Sequence, residues 1–154
     1  MKVSPRVRPV LAIASGGGHW TQLLCLREAW QGLPVVYATV SEGYRREVAA
    51  DRFYVVPDGN IETKLALLRM SVRVLMLVLR VRPRVVISTG AAPGFFGLLF
   101  GKLLGARTVW IDSIANGDEL SLSGKRVRRF ADVWLTQWEH LATRDGPRYE
   151  GSVI

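Results

Sequence analysis

"VLAIASGGGHWTQLLCLREAW", residues 10–30, runs from a short apolar segment through three consecutive glycines into an amphipathic stretch. The apolar segment is strand-length and bounded by a glycine turn, so it reads as a buried strand. Glycines lack a Cβ, so they turn the chain sharply and let the backbone come close to another group. A strand, a glycine turn and a helix in that order open a parallel α/β sheet, and the rest of the chain repeats the alternation. Residues 9–14, 34–40, 53–56, 84–89, 107–112 and 132–137 read as strands, and 19–31, 43–50, 61–82, 94–105 and 123–131 as helices. Short continuous apolar strands separated by helices belong to a sheet covered on both faces. The expectation is one doubly wound, Rossmann-like α/β domain over residues 1–154.

Local chemistry sets several boundaries. Pro34, Pro57 and Pro83 stand where helices stop or extended segments begin, because proline lacks the amide donor and pushes its predecessor out of helical geometry. Gly94, Gly97, Gly101 and Gly105 recur at three- and four-residue spacing and make a flat strip for close backbone contact along one helix.

The 154 residues carry 21 Lys and Arg against 13 Asp and Glu, a net charge of +8. That balance points to an anionic partner: a nucleic acid, an acidic membrane face or a phosphorylated ligand. Nucleic acid ranks last, since no zinc spacing, recognition helix or aromatic-rich strand accompanies the basic residues. The single Cys25 makes no intrachain disulfide and is expected to be a buried, inert thiol in a reducing compartment. The basic N-terminus has too short an apolar core for a signal peptide.

Candidate site residues fall on three strand-to-helix connections. Ligands of open α/β sheets sit beyond the carboxyl ends of the strands, and the first such turn is the usual phosphate site. Gly16, Gly17 and Gly18 fall there, where their amides and the following helix's positive end suit an anion. Thr21 stands where a dinucleotide fingerprint has its third glycine, and no Walker lysine follows, which argues against NAD binding and P-loop ATPase chemistry. The alternative is a turn that serves only helix–sheet packing. His19 opens the helix, where the dipole disfavours imidazolium, so it is either a general base or a brace for the turn. In "ISTGAAPGFFG", residues 87–97, Thr89, Gly90, Ala91, Ala92 and Pro93 leave space above the sheet for a ligand, or form a tight turn with a helix begun near Pro93. The long polar stretch 110–132 carries Asp112, Ser113 and Asn116. Asp112 is a candidate acid–base or sugar-hydroxyl contact, or else a cap on its own loop, and Ser123 is expected to cap the next helix.

The 61–82 helix has one narrow polar stripe, including Arg69, Arg73 and Arg80, and apolar residues over most of its circumference. Lys64, Arg69, Arg73, Arg80, Arg82 and Arg84 are accompanied by no acidic residue. Apolar surface beyond what a sheet-packed helix needs, edged by arginine, suits an anionic membrane interface or burial against a partner chain.

Taken together, "SGGGHWTQL", "VVISTGAAPGFFGLLFGKLLGARTVWIDS", "ELSLSGKRVRRFADVWLTQW" and the closing "YEGSVI" resemble the Alg-fourteen family and its bacterial PssD-type relatives along nearly the whole chain. The resemblance implies the N-terminal half of a GT-B glycosyltransferase, related to the MurG type, that holds a lipid-linked acceptor at the membrane. A small separate chain would supply the catalytic C-terminal half and most of the UDP-sugar site. On this reading His19 and Asp112 are the catalytic candidates, although Asp112 stands where that family carries a glutamate. Gly16, Gly17, Gly18 and Thr21 would hold the diphosphate of the nucleotide sugar. Thr89, Gly90, Ala91, Pro93, Ser113 and Asn116 would hold the polyprenyl-diphosphate-linked acceptor. Arg69, Arg73, Leu75, Arg80, Phe95 and Phe96 would touch the membrane, placing the chain peripherally at the cytoplasmic face of the plasma membrane. The implied reaction is an inverting transfer with no metal and no cofactor beyond the UDP-sugar donor. A non-catalytic membrane adaptor is the rival reading.

Overall fold

The computed structural model describes residues 7–48 and 52–154. The expectation for the extreme N-terminus and the end of the 43–50 helix fall partly on residues outside that range. Seven parallel strands form one sheet: β1 (Val10–Ile13), β2 (Val35–Thr39), β3 (Arg52–Val55), β4 (Val85–Ser88), β5 (Arg107–Ile111), β6 (Val133–Thr136) and β7 (Arg148–Tyr149). Their spatial order is β3-β2-β1-β4-β5-β6-β7. The chain therefore winds outward from β1 to one edge, returns to the centre, and winds outward again from β4. The change of direction lies between β1 and β4, whose register pairs Val10 with Val85 and Ala12 with Ile87. This is the doubly wound, Rossmann-like fold that the alternating pattern predicts.

The period-two alternation of the strands divides the core into two layers. Leu11, Ile13, Val36, Ala38, Val86 and Trp110 face α2 (Lys64–Val81), α3 (Ala91–Leu103) and Val127. Val10, Ala12, Ala14, Tyr37, Phe53 and Ile87 face α1 (Gly18–Cys25) through Trp20 and Leu23. The glycine strip of α3 does what its spacing predicts. A Cβ on Gly94 would lie 1.8 Å from Ser88 Oγ, one on Gly97 2.8 Å from Ile13 Cγ2, and one on Gly101 2.5 Å from Val86 Cγ2. Gly105 is not part of that contact: at φ +80 with open space around it, it ends the helix in the left-handed conformation.

Several local expectations are corrected. The 19–31 helix ends at Cys25, with Leu26 as its cap, and continues as a 3₁₀ turn over Arg27–Trp30, which drives Trp30 into the core so that its Nε1 donates to the Tyr37 hydroxyl. Residues Glu42–Val48 are 3₁₀ as well, near Gly43, a poor α-helix residue. The 123–131 helix is α4 (Leu122–Arg126) followed by a 3₁₀ turn over Val127–Arg129. Its cap is Ser121 and not Ser123: the Ser121 hydroxyl accepts from the Gly124 amide. α3 begins at Ala91, two residues before Pro93. Cys25 is exposed, because the helix ends there and turns it outward. Strand β7 has no hydrophobic alternation to announce it; two exposed residues simply extend the sheet beside β6.

On α2, Leu65, Leu68, Val72, Met76 and Leu79 remain exposed, Leu65 by 81% and Leu68 by 61%. At 100° per residue they form one outer stripe, with exposed Arg69, Arg73 and Arg80 along one side. Leu75 is half-buried and lies off that stripe. Among the described residues no helix is long and apolar enough to cross a membrane.

Candidate active site

The loops after β1 and β4 meet at the switch point. They are locked by a reciprocal pair of hydrogen bonds: the Thr89 hydroxyl donates to the His19 carbonyl at 2.6 Å, and His19 Nδ1 lies 3.1 Å from the Thr89 carbonyl. A carbonyl only accepts, so Nδ1 carries the proton in that bond, and Nε2 of a neutral ring is left with its lone pair. Gly90 makes the ring's position possible. At φ +146, a Cβ there would stand 2.3 Å from His19 Nδ1, inside the ring's own volume. The next residue, Ala91, takes φ 64, a left-handed geometry that costs a non-glycine residue about 1–2 kcal/mol.

α1 and α3 therefore present their N-termini to one place. Neither has a side-chain cap, so the amides of their first turns are not consumed within the helices, and both dipoles add positive potential there. In the glycine loop, Gly17 takes φ +65 and its amide donates to the Tyr44 hydroxyl at 2.8 Å. Tyr44 also crowds the space beside Gly16, where a Cβ would lie 3.0 Å from its oxygen, and its ring packs on Trp20 at 5.4 Å. Sequence reading missed Tyr44, since nothing local marks a tyrosine that reaches back 27 residues. Thr21 does not point its hydroxyl at an incoming ligand; it donates to the Gly17 carbonyl at 3.3 Å.

The third loop is a scaffold. Asp112 is 1% exposed. Its Oδ1 accepts from Trp110 Nε1 and the Ser121 hydroxyl, and its Oδ2 from the Ser121 amide and Asn116 Nδ2. Gly124 packs so closely that a Cβ would lie 2.4 Å from Oδ1. The geometry thus gives Asp112 the loop-capping role and leaves no lone pair turned to a substrate. Ser113 is buried too, its hydroxyl accepting from Gln22 Nε2 and the Ala115 amide. Gln22 and Gln137, likewise unpredicted, join this loop to α1 and the C-terminal tail: Gln137 Nε2 donates to Gln22 Oε1 and the Asp112 carbonyl, and its Oε1 accepts from the Val153 amide. Two amides on otherwise apolar faces were their only trace in the sequence. Of the residues read as acceptor-binding, Thr89, Gly90, Ala91 and Pro93 gather at the His19 loop, whereas Ser113 and Asn116 belong to the buried network.

Phe95 and Phe96 are half-buried and turned toward other aromatic rings, Phe130 at 5.3 Å and Phe100 at 6.0 Å. They line a cavity of about 440 Å³ beside Ala91 and so do not extend the outer stripe of α2. Among the described residues no three His, Cys, Asp or Glu side chains gather to form a metal-binding group.

A family model described as "Oligosaccharide biosynthesis protein Alg14 like" matches residues 42–153. A UDP-N-acetylglucosamine transferase subunit ALG14 from Eremothecium gossypii is 28% identical over 169 aligned positions, covering 89% of this chain and 75% of that protein. The Candida glabrata protein of the same name is 46% identical over 46 residues, 30% of this chain and 19% of its own. Among solved structures, Acinetobacter baumannii MurG superposes with a TM-score of 0.72 at 16% identity over 91% of this chain and 44% of MurG. The UDP-N-acetylglucosamine 2-epimerase of Rickettsia bellii gives 0.63 at 14% over 88% of this chain and 40% of the epimerase. The chain thus spans less than half the length of these solved structures, and the likeness identifies a GT-B-type sheet.

Proposed function

Because the chain belongs to the Alg14-like family of oligosaccharide biosynthesis proteins, we propose that it is the acceptor-side half of a two-chain, UDP-sugar-dependent glycosyltransferase. The observation that carries this reading is the His19–Thr89 lock at the meeting of two helix N-termini. His19 Nε2 takes the proton from a hydroxyl of the lipid-linked acceptor, whose oxygen attacks the anomeric carbon of the donor. The bond from that carbon to the UDP oxygen breaks with inversion, and the nucleotide diphosphate leaves with its added negative charge. The amides of Gly16 and Gly18 and the two helix dipoles offset that charge, the Gly17 amide being held by Tyr44. Asp112 supports the loop and takes no part in proton transfer. A second chain of C-terminal GT-B type completes the donor site.

The outer stripe of α2 supports a peripheral membrane contact at the cytoplasmic face, with Arg69, Arg73 and Arg80 toward anionic headgroups. The discriminating experiment measures transfer from radiolabelled UDP-N-acetylglucosamine to a polyprenyl-diphosphate-linked sugar. It compares this chain, a candidate C-terminal-half chain and the two together, each with His19→Ala in this chain. Activity only in the pair, lost with folded His19→Ala, supports the reading. Wild-type turnover in the His19→Ala pair makes the chain a non-catalytic adaptor.

A further inference from the structure

The glycine loop is shaped to a hydroxyl that comes from another segment. Gly17, at φ 65 and ψ −136, donates its amide to the Tyr44 oxygen at 2.8 Å. Gly16 is not in the left-handed region, and what bars a side chain there is Tyr44 itself: a Cβ would lie 3.0 Å from its oxygen and 3.1 Å from its Cε2. One glycine thus gives Tyr44 its space and the next gives it an amide.

The ring is held in place from behind. It packs on Trp20 at 5.4 Å, and Trp20 is fully buried, edge-on to Tyr37 at 5.9 Å and to Phe53 at 6.0 Å. Trp20 Nε1 donates back to Glu47 Oε2 at 3.3 Å, tying α1 to the segment that carries Tyr44. Within Glu42–Val48 only Tyr44 and Val48 are turned inward; the other side chains are exposed.

A phenol hydroxyl has one proton to give and lone pairs to receive. Receiving from Gly17 leaves the proton unspent, and among the described residues no acceptor takes it. A hydroxyl that accepts a hydrogen bond is polarised and becomes a stronger donor. An anion at the glycine loop therefore meets the Gly17 amide through Tyr44, as a chain from N–H to O–H to the anionic oxygen.

We infer that Tyr44 is a catalytic residue of the proposed transfer, its hydroxyl donating to a diphosphate oxygen of the departing UDP. The bond strengthens as the anomeric carbon–oxygen bond breaks and negative charge collects on the diphosphate. The proton stays on Tyr44 throughout, so the residue stabilises charge and leaves proton transfer to His19. This rests on the two-chain glycosyltransferase reading above and adds to it a donor from the β2–β3 connection. A tyrosine that only braced the turn would use its lone pairs and not its proton.

The test uses the two-chain pair, with UDP-N-acetylglucosamine as donor and a polyprenyl-diphosphate-linked sugar as acceptor. Tyr44→Phe, which keeps the ring on Trp20, should lower kcat about 10- to 100-fold and raise the KM for the nucleotide sugar by less than about threefold. Inhibition by UDP, which carries the fully developed charge, should weaken about tenfold. A second variant replaces Tyr44 with 3,5-difluorotyrosine, a more acidic phenol of nearly the same shape. Its kcat should fall at lower pH than that of the natural enzyme, because a phenolate has no proton to donate. Bracing predicts no such fall, since a phenolate accepts from Gly17 more strongly than a phenol does. His19 on α1 and Glu42, Arg45, Arg46 and Glu47 on Tyr44's own segment are common to both proteins, so the displacement between the two pH profiles reads the phenol. A kcat for Tyr44→Phe within about twofold of wild type overturns the inference, as do unweakened UDP inhibition and coincident alkaline limbs in the fluorinated and natural enzymes. A wild-type pair that transfers no sugar defeats the functional reading and this one with it, whereas an active pair indifferent to Tyr44 defeats this one alone.

Discussion

Gly90→Ala changes a single hydrogen to a methyl, and the structure makes it a test of the whole His19 arrangement. The added carbon would lie 2.3 Å from Nδ1 and 2.5 Å from Cε1 of the ring. Ordinary contact needs at least about 1 Å more, so the ring must swing away and give up its 3.1 Å bond to the Thr89 carbonyl. The backbone at φ +146 adds strain of about 1–3 kcal/mol for a residue with a Cβ. Misplacing a catalytic group by about 1 Å costs on the order of 100-fold in rate, near 2.7 kcal/mol of barrier. Complete loss of the proposed base in His19→Ala should cost about 10²–10⁴-fold. The two changes act through one ring, so Gly90→Ala added to His19→Ala should lower the rate little further, and its stability cost should shrink to the backbone strain. Transfer rates of the proposed two-chain enzyme and thermal melts of the four variants give the cycle. Gly90→Ala within twofold of wild type, or multiplicative rate losses, would refute both the position assigned to the ring and its role.

Further consequences can be checked singly. Tyr44→Phe keeps the ring against Trp20 but removes the oxygen that accepts from Gly17, so stability should fall by less than about 1 kcal/mol while the Gly17 amide exchanges faster by NMR. Asp112→Asn puts an NH₂ among donors, so a loss of about 1–3 kcal/mol in chemical denaturation is expected; unchanged stability with lost turnover would return Asp112 to the catalytic set. The Lys102 ammonium beside Asp132, with help from the Thr108 amide and hydroxyl, holds that carboxyl below its ordinary value. A depressed folded-state value means the contribution is present above about pH 4 and is lost as pH falls through the folded pKa, so Asp132→Asn should destabilise at pH 7 and flatten the acid limb of the melting curve. Leu68→Glu with Met76→Glu, on the exposed stripe, should abolish binding to anionic vesicles in a flotation assay and leave the melting temperature within a few degrees.

Much of the fold was legible because strand and helix periods are imposed by burial. The continuous apolar runs named six strands, and the glycines of α3 announced a contact that the Ser88, Ile13 and Val86 distances confirm. β7 left no trace because an exposed two-residue edge has nothing to bury. Of the three helical readings that broke, two did so at tertiary demands: Trp30 had to reach Tyr37, and the 42–48 segment had to bring Tyr44 to the glycine loop. At the site, glycines and the histidine were readable from type and spacing. The His19–Thr89 lock was not, since it joins residues 70 apart. Asp112 shows the reverse limit: a carboxylate at a strand end looks the same in sequence whether it faces a substrate or, as here, is enclosed by Trp110, Asn116 and Ser121.

The sheet order has a bearing on how the molecule should breathe. The loops that hold His19 and Thr89 hang from β1 and β4, each flanked by partners on both sides, while the edges belong to β3 and the short β7. Opening should therefore begin at the rims and reach the middle last, giving amide exchange that slows inward from both edges. The His19 platform would keep its shape while the outer strands come and go, so a partner chain or a bilayer can work the periphery of this sheet without disturbing its centre.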